Sequence, residues 1–253
     1  MAEVENAKSP RERYRAQVRA EVKERAWEQI AAAGASALSL NAIAKKMGMS
    51  GPALYRYFAS RDELITELIR DAYRSLADTF RAAAAVAEPT DVTEPTDATE
   101  PADSTDPAQP LEPALATLAH ALRGWALADP QRYFLVYGTP VPGYHAPDDV
   151  TAIASEIMAF LLDACAALPA TGPESRPATG PATPFGEHLD AHREWAAGHP
   201  APPAALHRAM AFWTRLHGVL SLELAGHFDG MGFDPALLFA AELDDLLGIA
   251  GIS

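Results

Sequence analysis

"MGMSGPALYRYFASRDEL", residues 47–64, sets three aromatic rings and two arginines within positions 55–61 of a chain that is only 8% aromatic. Rings so close together cannot all enter one small core. An outward Tyr–Arg–Tyr row is costly unless something binds it. Gly48-Met49-Ser50 reads as a tight turn joining a helix over about 40–47 to a short helix over about 51–57, with Ser39 and Ser50 at their N-caps. Leu54 and Phe58 lie four apart and point inward with Ile43, Ala44 and Met47. The same helical angle turns Pro52, Tyr55 and Arg56 outward and leaves Ala53 and Tyr57 on the flanks. Two short helices about a glycine turn, buttressed by a preceding helix, predict a helix-turn-helix. Phenol hydroxyls reach phosphate oxygens, and a guanidinium can make a bidentate contact to guanine. Small residues at Gly51 and Ala53 let the helix N-terminus approach a duplex, where its dipole favours phosphate.

Outward from this stretch, helical signals continue in both directions. Ser9-Pro10-Arg11-Glu12 reads as a capping box ahead of a helix whose Val18, Val22, Ala26 and Ile30 fall at four-residue spacing and which stops at Gly34. Ser60-Arg61-Asp62-Glu63 is a second capping box, opening a helix with an apolar stripe of Ile65, Ile69, Ala72, Leu76 and Phe80. Further helices are expected near 111–128, 130–137, 148–167, 187–197, 203–226 and 235–250, giving about nine in all and no sheet. The fold class is all-α: a helix-turn-helix domain over 1–60, then a helical ligand-binding and dimerisation domain over 61–253. Two low-complexity segments, 88–110 and 169–186, read as disordered loops. The first holds "EPTDVTEPTDATEPADSTDP", a degenerate six-residue repeat with seven acidic residues and no basic one.

Charge is unevenly spread. Residues 1–61 carry 11 Lys+Arg against 6 Asp+Glu, a balance of +5; the remainder carries 9 against 28, or −19, and together they make the net −14. A basic head on an acidic body suits a confined phosphate-binding face. Lys45 and Lys46, with Arg11, Arg13 and Arg15, are further candidates for phosphate contact. No run of eighteen apolar residues appears and the first twenty residues are charged, so a cytoplasmic protein without membrane contact is expected. One cysteine, Cys165, precludes an intramolecular disulfide. No GxSxG, HExxH, P-loop or GxGxxG stands in a suitable context, so no enzyme and no cofactor is expected. His188 and His192 have metal-compatible spacing near His199, but lack a second ligand pair, and no metal site is assigned.

"LSLNAIAKKMGMSGPALYRYFASRDELI", residues 38–65, resembles the DNA-binding segment of the tetracycline-repressor (TetR-like) family of bacterial regulators. The resemblance spans about residues 12–70 and includes Ile43-Ala44, the Gly48-Met49-Ser50 turn, Leu54-Tyr55-Arg56-Tyr57-Phe58 and Ser60-Arg61. It implies that Ser50, Pro52, Ala53, Tyr55, Arg56 and Tyr57 touch DNA, and that Arg61 and Ser39 anchor phosphates. Gly51 and Ala53 depart from relatives that carry polar side chains there, which shifts sequence reading toward Arg56 and thymine methyl contacts. They also leave open an alternative, a ligand-binding or interaction protein that has lost DNA binding. Farther on, Trp213, His217 and Gly218 in "FWTRLHGVLSLELAGHF" resemble the Trp–His–Gly subtype of the family's C-terminal domains.

Gly218 permits close helix approach, and Leu216, Leu220 and Leu224 with the stripe Ala236, Phe239, Ala240, Leu243, Leu247 and Ala250 predict a homodimer interface through the last two long helices. Trp125, Tyr133, Tyr137, Tyr144, Met158, Phe160 and His217 are candidates to line an effector cavity. The expected function is that of a dimeric repressor, released from a pseudo-palindromic double-stranded operator by an unidentified small molecule.

Overall fold

The computed structural model describes residues 9–87, 113–138, 147–168 and 183–248. The expected loop at 88–110, most of that at 169–186, and Tyr144 and Ala250 lie outside the described residues. Among those described, the regular structure is ten α-helices, two single-turn 3-10 segments and no strand. The helices are α1 (Pro10–Ala33), α2 (Leu40–Lys46), α3 (Gly51–Leu54), α4 (Arg61–Ala87), α5 (Ala114–Ala128), α6 (Pro130–Tyr137), α7 (Asp148–Ala167), α8 (Pro184–Ala191), α9 (Pro203–Leu224) and α10 (Pro235–Leu247).

Local signals explain most of the helix starts. The Ser9 hydroxyl accepts from the Glu12 amide while the Glu12 carboxylate accepts from the Ser9 amide at 2.7 Å, which completes the expected capping box. Gly34 ends α1 at φ 76°, a left-handed conformation that favours glycine. At α4 the Ser60 hydroxyl accepts from the Glu63 amide at 3.0 Å, but the Glu63 carboxylate reaches back one residue farther, to the Ala59 amide. Thr183 caps α8, so residues 183–186, expected within a disordered loop, form a cap and first helical turn.

The described residues fall into two compact units. The first draws on 1–74 and 129–153, the second on 75–128 and 154–253, so the unit around the helix-turn-helix reaches past residue 60. Its core joins Val18, Val22, Ala26 and Ile30 of α1 to Leu40, Ile43 and Ala44 of α2, to Leu54 and Phe58, and to Leu64, Ile65 and Leu68 of α4. Leu135 of α6 and Val150 of α7 complete it.

The second unit packs α5, α8, α9 and α10 with the later parts of α4 and α7. Leu115, Leu122, Leu206, Phe212, Leu216, Leu220, Phe239 and Leu243 are buried there. Arg123 on α5 holds Glu223 on α9 through both guanidinium Nη atoms and sits 5.2 Å from the centroid of the Phe239 ring. Arg208 donates to the Cys165 carbonyl at 2.9 Å, placing a cation on the exposed carbonyls that end α7. Burial pushes the Cys165 thiol up to about 12, so it packs as a small apolar group.

By length and composition alone, α7 is apolar enough to cross a membrane. Three of its carboxylates have partners within the fold: Asp149 pairs with Arg70, Glu156 pairs with Arg81, and Asp163 lies 3.0 Å from His199. Ile157, Leu161, Leu162 and Cys165 are buried against protein.

Phe58 is fully buried where α1, α2 and α4 meet. Replacing it by Ala is expected to cost about 3–5 kcal/mol, read as a fall in the urea unfolding midpoint.

Candidate nucleic-acid interface

The turn between α2 and α3 is held by backbone bonds that need its glycine. The Met47 amide donates to Ile43 at 3.0 Å, Gly48 takes φ 67°, and the Met49 amide returns to Ala44 at 2.9 Å. A side chain at 48 would be strained in that left-handed conformation. Gly51 has a separate reason for its size: a Cβ there would stand 3.3 Å from the Asn41 side-chain oxygen, tighter than most such contacts. The Asn41 side chain thus crowds the position where α3 begins against α2.

α3 is a single turn. Beyond Leu54 the chain tightens, with Arg56 donating to Ala53 at 3.3 Å and Tyr57 to Leu54 at 2.8 Å, so the expected helix over 51–57 ends as i→i+3 turns. The predicted facing holds: Leu54 and Phe58 are fully buried, Pro52, Tyr55 and Arg56 are exposed, and Ala53 and Tyr57 are half-buried. Ser50 is exposed but makes no side-chain cap bond, contrary to expectation, because its carbonyl alone receives the Ala53 and Leu54 amides.

Two arginines of α1 hold the end of this segment. Arg19 donates to the Tyr57 carbonyl, lies 4.1 Å from the Phe58 ring centroid, and pairs with Glu63 at 3.6 Å and Glu67 at 3.3 Å. Arg15 reaches the Arg56 carbonyl at 3.4 Å. Neither tie is visible from the helical stripe, which marks only apolar positions. The one available signal is that Arg19 directly follows the buried Val18.

The remaining candidates divide. The Ser39 hydroxyl accepts from the Ala42 amide at 3.4 Å as the α2 cap, and its own amide donates to the Gln29 side chain at 3.0 Å. Lys45 and Lys46 are exposed, Lys46 lying 3.8 Å from Glu28. Arg61, expected on a phosphate, is turned inward. Its Nε donates to the Leu38 carbonyl at 3.1 Å, and its Nη2 to those of Ala35 at 2.8 Å and Ser36 at 3.3 Å. It ties the start of α4 to the segment after α1, sharing the Ala35 carbonyl with the Leu38 amide.

The described effector candidates are divided between the two compact units. Tyr133 and Tyr137 belong to the first unit, with ring centroids 5.4 Å apart; Tyr137 also meets Tyr73 edge-on at 6.1 Å. Burial, reinforced by Tyr73 and Tyr133, pushes the Tyr137 phenol well above its ordinary range. Trp125, Met158, Phe160 and His217 belong to the second unit. Trp125 is buried and its indole donates to the Ser75 hydroxyl at 3.1 Å; Met158 and Phe160 are half-buried on α7. His217 is buried against Trp213, with ring centroids 4.3 Å apart, and desolvation lowers its pKa to about 4. His188 and His192 stack at 4.2 Å on α8 and its C-cap.

A glycine-turned pair of helices with an exposed Tyr–Arg face, braced by a long first helix, defines a helix-turn-helix DNA-binding protein. Residues 24–68 match the N-terminal family described as bacterial regulatory proteins of the tetR family, and residues 115–246 match a tetracyclin repressor-like C-terminal domain. The chain belongs to the TetR family and is a helix-turn-helix transcriptional regulator. It is 35% identical over 239 residues to the HTH-type transcriptional regulators Rv1816 of Mycobacterium tuberculosis and Mb1846 of Mycobacterium bovis, covering 93% of this chain and of each relative. A crystal structure described as that of a regulatory protein, SCO4313, is 64% identical, with a TM-score of 0.75 over 95% of this chain and all of that one. A Rhodococcus protein of unknown function shares the fold, at 20% identity and a TM-score of 0.60.

Because His217 stays neutral in the fold, the unfolded chain binds a proton that the folded chain refuses as pH falls from about 6.5 to about 4. Stability should drop across that window by roughly 3 kcal/mol more than in a His217→Gln variant. Urea titrations of both proteins at a series of pH values measure the difference.

Proposed function

We propose that this regulator is a homodimer that represses transcription by inserting two recognition segments into successive major grooves of a pseudo-palindromic operator. On this reading Arg56 reads guanine, Tyr55 and Tyr57 reach phosphates, and Pro52 and Ala53 contact thymine methyls. Gly51 allows close backbone approach there. The Ser50 hydroxyl takes a phosphate at the start of α3, and Ser39, Lys45 and Lys46 take phosphates beside it. Arg61 acts as a brace, since carbonyls occupy its Nε and Nη2 donors. The carrying observation is the exposed Tyr55–Arg56 pair on a backbone fixed by Arg15 and Arg19. The regulator needs no catalytic role and no cofactor on this reading.

The dimer reading changes face. Leu216 and Leu220 of α9 and Phe239 and Leu243 of α10 are already buried inside one chain, where α9 packs on α10. Gly218, Leu222 and Leu237 remain exposed, and a Cβ at Gly218 would meet nothing within 4 Å. These residues of the same two helices are the ones we assign to the homodimer. A small molecule bound in the C-terminal body would release the operator by favouring a conformer whose recognition segments no longer match a helical repeat of roughly 34–36 Å.

Anisotropy titration with duplex DNA flanking the regulator's own gene tests the reading. Saturable binding should weaken steeply with salt, since several phosphates are neutralised per dimer. Arg56→Ala should relax base preference at one position per half-site by about 1–3 kcal/mol. Absence of any salt-sensitive complex at micromolar protein would count against DNA recognition by this chain.

A further inference from the structure

A chain of charged groups runs through the first unit from the recognition turn to the start of α7. Arg19 donates to the Tyr57 carbonyl and presents Nη2 to Glu67 Oε2 at 3.3 Å. The other Glu67 oxygen, Oε1, accepts from Nη1 of Arg70. Arg70 in turn donates from Nε to Asp149 Oδ2 at 2.7 Å. Each Glu67 oxygen therefore serves a different arginine, and the carboxylate cannot reorient toward one without loosening the other. Asp149 stands beside Val150, which is 2% exposed and shares a core with Leu54 and Phe58. The first turn of α7 is thus locked to the helix-turn-helix body by apolar and ionic contacts together. The hydrogen bond from Arg70 holds the Asp149 carboxyl below its usual range, so the outer link stays ionised at neutral pH.

We propose that Glu67, Arg70 and Asp149 are positioning residues for DNA recognition: they orient the Arg19 guanidinium, which sets the backbone at Tyr57 and so the aim of Tyr55 and Arg56. This rests on the DNA-binding reading above. It adds that α7, a helix outside the DNA-binding motif, governs operator affinity through side chains that touch no DNA. Exposed ion pairs contribute little to stability singly. Their effect here is directional, because one planar guanidinium meets both the Tyr57 carbonyl and the Phe58 face. Its plane is set by two carboxylates behind it, Glu67 at 3.3 Å on Nη2 and Glu63 at 3.6 Å on Nη1.

The test uses the full chain carrying 3-fluorotyrosine, with the Tyr57 fluorine signal assigned by its loss in Tyr57→Phe. Arg70→Gln, Asp149→Asn and the double variant are compared with the parent for binding to flanking duplex DNA, for urea midpoint and for the fluorine spectrum without DNA. Each single change should weaken binding by about three- to tenfold, and the double change should be no worse than the weaker-binding single, as expected for groups acting through one chain. Asp149→Glu should restore affinity, and the Tyr57 signal should move in Asp149→Asn while its urea midpoint stays near that of the parent. Parent-like affinity in both single variants, multiplying effects in the double, or an unmoved Tyr57 signal would each overturn the proposal. Should the parent bind no duplex, the DNA-binding reading fails on its own, and the fluorine spectrum still decides whether α7 sets the recognition turn.

Discussion

A recognition helix of one turn cannot hold its own shape, since an isolated helix of that length lies far below the size at which propagation outweighs nucleation. Its conformation is imposed from outside. Leu54 and Phe58 anchor it below, and Arg19 closes its C-terminal end by covering the Phe58 ring and taking up the Tyr57 carbonyl. A lysine at 19 would supply one ammonium where a plane with several donors is needed. The outward side chains are therefore aimed by contacts made through the backbone and through their neighbours.

The basic head follows the same division of labour. Of its arginines, Arg19 and Arg61 face protein backbone, while Arg56 points to solvent from a backbone that Arg15 helps to fix. Net charge draws a polyanion to the region as a whole, but the number of guanidinium groups left for phosphate is smaller than the residue count suggests. Arginines that brace the fold and arginines left in solvent are the same residue type, and only hydrogen-bond partners tell them apart.

That distinction marks the limit of what could be read from sequence. The Ser9–Glu12 capping box, the Ser39 cap, the Gly48 turn and the inward pair Leu54 and Phe58 were legible because each depends on groups three or four residues apart. Arg61, by contrast, finds its carbonyls at 35, 36 and 38, and Arg70 finds Asp149 across 79 positions; no local spacing announces either. The stripes of α9 and α10 were correctly apolar, yet a stripe does not say which surface covers it, and here each helix covers the other. Tyr133 and Tyr137 fall in one compact unit and Trp125 in the other. Composition shows that rings are available, and chain topology decides which unit receives them.

The backbone passes from one compact unit to the other after residues 74, 128 and 153. No single cut separates the two. A chimaera that grafted the first 60 residues onto a foreign body would leave behind Leu64, Leu68, Leu135 and Val150, and with them a wall of the core beneath Phe58. Exchange of sensing modules between such regulators, in the laboratory or in evolution, must therefore carry α6 and the start of α7 along with the head, or rebuild that wall with matching side chains from the new host.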